Sequence, residues 1–115
     1  MPAGAATVNR LVLSGTLVER AALRYTPAGL PALDLSLKHE SEVSEDGQPR
    51  KVSMEMKAVA IGAVTQGLTH LTLGSAGLYA GFITSHRNGR GLLFHITSVE
   101  PDAISQSPAR PSGSN

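Results

Sequence analysis

Two neighbouring segments decide the reading of this chain. They are Asn9-Arg-Leu-Val-Leu-Ser-Gly-Thr16, and Arg24-Tyr-Thr-Pro-Ala-Gly-Leu-Pro31 running into Leu33-Asp-Leu-Ser-Leu-Lys-His-Glu-Ser41. Leu11, Leu13 and, beyond Gly15, Leu17 alternate with other residues, and Leu33, Leu35 and Leu37 do the same. Alternation with a period of two sends successive side chains to opposite faces of an extended chain, so each run predicts a half-buried strand. Between them, Thr-Pro-Ala-Gly supplies turn chemistry: proline presets its φ and glycine tolerates a positive one. Arg24 and Tyr25 stand together at this connection, a cation beside an aromatic ring.

Working outward, the first strand runs from Asn9 to about Glu19, with Gly15 marking an expected bulge or bend. The second covers Ala32 to about Glu40 and ends in the polar stretch Ser41–Pro49, where Asp46-Gly47 signals a turn. The third, Lys51–Ile61, puts Val52, Met54 and Met56 on one face and Lys51, Ser53, Glu55 and Lys57 on the other. Its end, Ala58-Val-Ala-Ile61, has no polar face and predicts full burial. Ala63–Thr72 lacks strand alternation and reads as a short helix or loop closing the bottom of a barrel. Leu78–His86 is a fourth strand, with Leu78, Ala80 and Phe82 or the opposite set facing inward. Arg87-Asn-Gly-Arg-Gly91 is a hairpin turn built on Asn-Gly, and Leu92–Val99 is a fifth strand. Phe82 and Phe94 are expected in the core; Tyr79 is open.

Five short strands with one brief helical connection between the third and fourth predict an all-β protein, the five-stranded OB-fold barrel. The second and third strands and the outer loops of that fold commonly bind single-stranded nucleic acid. Residues 8–100 are the expected domain. Residues 1–7 are small, and residues 101–115 are rich in Ser, Pro and Gly, so both ends are expected to be disordered.

A chain of 115 residues suits one domain. Charged residues make up 17%, below the usual share of about 25%. The net charge of +1 hides a segregation, because four of the nine acids, Glu40, Glu42, Glu45 and Asp46, crowd into one stretch and leave the remaining surface basic. Without cysteine there are no disulfides, iron–sulfur clusters or thiolate zinc sites. The N-terminus lacks the basic start and apolar run of a signal peptide, and no stretch of about 18 apolar residues could span a membrane. A cytoplasmic location is the expectation.

Catalytic readings find little support. His39-Glu40 is not followed by a second histidine, position 43 being Val43, and His39, His70, His86 and His95 are scattered singly. A zinc site needs three or four convergent ligands. No phosphate loop or dinucleotide fingerprint occurs. The chain is therefore expected to be a non-enzyme with no cofactor and no metal. A binding reading has more to draw on: Arg24 and Tyr25 at the first loop, Arg50, Lys51 and Lys57 along the third strand, and Arg87 and Arg90 around the last turn. Guanidinium and ammonium groups neutralise phosphates, and exposed rings stack bases. With only four aromatics, Tyr25, Tyr79, Phe82 and Phe94, the expectation is weak, salt-sensitive binding.

The segments Asn9–Thr16, Arg24–Pro31, Lys38-His39-Glu40-Ser41 and Gly81-Phe-Ile-Thr-Ser-His86 together resemble the primosomal replication protein N (PriB) family, relatives of bacterial single-stranded DNA-binding proteins. The resemblance spans roughly Asn9 to Glu100. The tail ends in Pro-Ser-Gly-Ser-Asn and not in the acidic tip finishing in Pro-Phe of the general single-stranded DNA-binding proteins, which favours the first family. It implies a homodimer that assists replication restart, binds single-stranded DNA, stimulates the PriA helicase and in some bacteria works with DnaT. Known members carry a tryptophan and other aromatics near the second loop, where this chain has Gln48 and Ser53. Two other readings stay open: a general single-stranded DNA-binding protein that coats DNA, and an OB module that docks proteins and binds little DNA.

Overall fold

β1 (Leu11–Arg20) changes partner halfway along, and that change closes the sheet on itself. In the computed structural model, which describes residues 7–86 and 89–101, residues 11–16 pair antiparallel with β5 (Ala76–Ser85). Residues 16–20 pair antiparallel with β3 (Pro31–Glu45). The barrel continues through β4 (Gln48–Ile61), antiparallel to β3, and β6 (Leu92–Pro101), parallel to β4 and antiparallel to β5. A two-residue strand, β2 (Arg24–Tyr25), pairs with Pro31 and Ala32 at the start of β3. The result is all-β: a closed five-stranded barrel with one short helix, α1 (Val64–Thr69), between β4 and β5, as the alternation predicted.

Leu33, Leu35 and Leu37 point into this barrel with Leu17, Ala58, Ala60, Tyr79, Phe94 and Ile96, and Leu68 of α1 plugs one end. Burying each large side chain contributes roughly 1.5–3 kcal/mol. Arg20 fixes the plug, its Nη1 donating to the carbonyls of Leu68 and Leu71 at the helix end. The Leu68 carbonyl also accepts from the Leu71 N–H, so the guanidinium adds to a tightened last turn and reaches the Leu71 carbonyl just beyond it.

Several boundaries differ from expectation for physical reasons. Gly15 is not a bulge: it pairs regularly with Gly77, and the irregularity falls between Leu17 and Glu19, just beyond the partner switch. Ser41–Pro49 is not a loop. β3 and β4 run on as a two-stranded arm to a two-residue turn at Asp46-Gly47, where φ values of 51° and 78° match the right-handed twist of the flanking strands. Ile61 is exposed and does not share the burial of residues 58–60. β6 includes Pro101, and β5 begins at Ala76. Of the ends expected to be disordered, residues 1–7 and 101–115, only 7 and 101 lie among the described residues, and Pro101 closes β6.

On β5 the inward set is Gly77, Tyr79 and Gly81, the alternative to Leu78, Ala80 and Phe82. Phe82 is thereby corrected from core to surface, and Tyr79 is assigned to the core. Two glycines flank the buried tyrosine because backbone crosses close to both. A Cβ on Gly81 would lie 1.8 Å from the carbonyl oxygen of His95. This close approach sits beside a register shift between Ala80 and Gly81, where Thr97 of β6 is the additional residue. The Tyr79 hydroxyl has no hydrogen-bond partner among the described residues, and burial pushes its pKa above the ordinary value.

Gly81→Ala should destabilise the barrel by about 3 kcal/mol, since backbone and not a flexible side chain blocks the methyl, and urea unfolding checks this. Tyr79→Phe should leave stability at pH 7 unchanged or raise it by about 1 kcal/mol, because an unpaired buried hydroxyl is removed. The wild-type phenol titrates higher folded than unfolded. Stability is therefore intact below about pH 10 and declines as pH rises past the unfolded value, a decline the phenylalanine variant should reduce. A stability loss above about 1 kcal/mol at pH 7 would show that the hydroxyl has a partner.

Candidate nucleic-acid interface

Strand register places the expected binding residues on particular faces. Along β4, Lys51, Ser53, Glu55, Lys57 and Val59 share the outer face, because they recur every second residue from a position opposite the core series. Their partners on β3 are Glu42, Glu40, Lys38, Ser36 and Asp34. Val59 in turn pairs with His95 on β6, and His95 with Phe82 on β5. One row on the outer side of the sheet therefore reads Asp34, Val59, His95, Phe82 across four strands, with Val59 itself buried beneath its neighbours.

Arg24 reaches the start of this row from β2. Its Nε donates to Asp34 Oδ2 at 2.7 Å and its Nη2 to Asp34 Oδ1 at 3.1 Å, a two-pronged contact at the surface. The carboxylate holds the Arg24 pKa above its ordinary value through that hydrogen bond and its charge. Lys57 Nζ donates to Ser36 Oγ at 3.1 Å and lies 3.8 Å from Glu19, which accepts from the same serine. This bridge covers Ser36, which is only 2% exposed although it faces outward.

At the far end of the row, the Phe82 and His95 rings stack with centroids 4.7 Å apart and planes inclined by 14°. Phe82 stays 38% exposed. Partial burial pushes the His95 pKa below its ordinary value of about 6.5, favouring the neutral imidazole. This ring pair is a candidate feature that sequence reasoning missed. The β5 alternation allowed either face inward, and only the glycine contacts decide which.

Other expected residues are placed apart. Tyr25 is 66% exposed, but as the neighbour of Arg24 on a strand it projects to the opposite side. Arg50 lies on the other face of the arm from Lys51 and donates to Glu45 at 3.1 Å. Arg90 is exposed in the connection between β5 and β6, where His86 N–H donates to the Gly91 carbonyl. Arg87 lies outside the described residues. The acids foreseen as a cluster are distributed along the arm, Glu42 opposite Lys51 and Glu45 beside Arg50.

The histidines do not converge. His39 is buried at the fork where β1 leaves β3: Nδ1 lies 2.7 Å from the Ser14 carbonyl oxygen and Nε2 2.8 Å from Ser41 Oγ. A carbonyl only accepts, so Nδ1 carries a proton and donates to it. Among the described residues no three His, Asp or Glu side chains come together as metal ligands.

A closed OB barrel is an architecture used by single-strand binding proteins. A family model described as another single-strand binding protein family matches residues 9–98, and the chain belongs to that family. Within it, similarity is to replication restart protein PriB. The Bordetella pertussis PriB is 46% identical over 80 residues, 70% of this chain and 75% of that protein. The structure of PriB from Ralstonia solanacearum superposes with a TM-score of 0.76 at 34% identity, covering 83% of this chain and 98% of that one. The single-stranded DNA binding protein from Thermus aquaticus shares the fold with a TM-score of 0.65 at 26% identity, covering 83% of this chain and 50% of that one.

The His95 imidazole should be neutral at pH 7 and titrate below its ordinary value, which 15N NMR of the ring checks. Because its folded pKa is lowered, the associated stability is complete above about pH 6.5 and is lost as pH falls through the folded value. Protonation at or above the ordinary value would mean that partial burial does not desolvate the ring.

Proposed function

We propose that the chain is a non-catalytic accessory factor in DNA replication restart that binds single-stranded DNA across the outer face of β3, β4, β6 and β5. The observation that carries this reading is the row from Arg24 to Phe82, which sets a guanidinium, the neighbouring Lys57 ammonium and an exposed aromatic stack on one surface. Arg24, Lys51 and Lys57 contact phosphates from the face itself. Arg50, Arg87 and Arg90 contact the strand from the arm and the last hairpin, and Tyr25 stacks a base from the side. Phe82 joins this set as a second stacking ring, supported by its exposure and its contact with His95.

In this reading the protein is a cytoplasmic homodimer. It holds DNA and the PriA helicase together, and DnaT where that partner exists, raising the local concentration of each for the other. The replication-restart names of its relatives and the matching family support that role. A protein-docking module is the second reading, favoured by one observation: acids face the cations along the arm, as Glu42 faces Lys51 and Glu55 faces Lys38.

Fluorescence anisotropy of a labelled single strand of roughly 35 nucleotides, titrated at several salt concentrations, separates the two. DNA binding should weaken with salt with a slope of about −0.7 per phosphate neutralised. Phe82→Leu keeps an apolar side chain and removes the aromatic face, so it should cost about 1–2 kcal/mol of affinity while the melting temperature stays close to wild type. No binding at low salt would sink the DNA-binding reading in favour of protein docking.

A further inference from the structure

Two cations of this face, Arg24 and Lys57, already stand against the protein's own carboxylates. Asp34 takes two N–H groups of Arg24 and Glu19 stands 3.8 Å from Lys57, while on the opposite face of the arm Glu45 takes one N–H of Arg50. Cross-strand pairing adds Glu42 opposite Lys51 and Glu55 opposite Lys38. A carboxylate offers a guanidinium the same pair of oxygens as a phosphate, so the two compete for one fork.

The Arg24–Asp34 pair has the geometry of a strong contact in an exposed setting, with side chains half accessible. Exposed ion pairs contribute little to fold stability. Little is therefore lost from the fold when an external anion breaks this one. Asp34 also stands on the outer face itself, between Arg24 and Val59, so its charge meets any strand that approaches the row.

We propose that Asp34 is a built-in competitor for nucleic-acid phosphate: it holds Arg24 in an ion pair that the DNA backbone must displace, and so sets both the affinity and the salt dependence of the face. This rests on the DNA-binding reading above. The exchange also accounts for a face that carries several cations on a chain of net charge +1. A strand that displaces Asp34 gains one guanidinium contact and uncovers one carboxylate, so the gain per cation is smaller than for a free arginine. Salt screens the internal pair and the external one alike. The wild-type salt slope should therefore be shallower than its cation count implies.

The test compares wild type, Asp34→Asn, Glu100→Gln, Arg24→Gln and the Arg24→Gln/Asp34→Asn double variant against the same labelled strand over a range of salt. Glu100→Gln changes the net charge equally, on a residue away from the row. Asp34→Asn should tighten binding roughly three- to tenfold at low salt and steepen the slope by about 0.7. The gain should vanish when Arg24 is also replaced, and Glu100→Gln should change affinity less than about twofold. Melting temperatures confirm that each variant is folded. An Asp34→Asn affinity equal to wild type or to Glu100→Gln overturns the proposal. Weaker binding also overturns it, making Asp34 a residue that positions Arg24 for DNA.

The two readings fail differently. If wild type binds and Arg24→Gln weakens it while Asp34→Asn brings no gain, DNA binding stands and the competitor falls. If neither wild type nor any variant binds at low salt, both fall. Binding by Asp34→Asn alone would be the competitor in its strongest form.

Discussion

The barrel depends on β1 serving two partners. Residues 11–16 close one side of the sheet through β5 and residues 16–20 the other through β3, with Thr16 paired to both Ala76 and Lys38. One strand cannot do this while flat. The register shift beyond Leu17 increases local twist and lets β1 cross from one neighbour to the next. His39 holds the fork from inside by linking the Ser14 carbonyl to Ser41. Curvature so produced makes Leu33, Leu35 and Leu37 an enclosed core instead of one side of an open sheet.

Closure also creates the candidate interface. β4 and β6 are distant in sequence and lie parallel only because the barrel brings the end of the chain back against its middle. Asp34, Val59, His95 and Phe82 become neighbours through that pairing. The Gly81 backbone contact then decides the direction of the β5 side chains, sending Tyr79 inward and Phe82 outward to stack on His95. Packing constraints and the exposed aromatic surface thus have one origin. A Cβ at position 81 would disturb the core and the ring pair together.

Electrostatics on this face is a matter of local pairing more than of net charge. The acids of residues 40–46 read in sequence as one crowded patch, yet the arm sends Glu42 and Glu45 to opposite faces, each beside a different cation. Such exposed pairs are weak in water and screened by salt. They are therefore exchangeable contacts, suited to a surface that trades an internal anion for an external one.

The amino-acid sequence by itself determined the barrel: leucine alternation on two strands, turn chemistry at Asp46-Gly47, and the break in alternation that α1 fills. These signals are local, because side-chain period and backbone φ depend on near neighbours. It also carried the family resemblance and the identity of most cations. Only the tertiary structure decided that residues 41–45 and 48–50 extend the strands, since an exposed polar strand has no apolar alternation to mark it. The same holds for the opposite projection of Arg24 and Tyr25, the pairing of Arg24 with Asp34, and the exposure of Phe82. Each depends on which strand lies alongside and on how closely its backbone approaches, which the local side-chain period does not reveal.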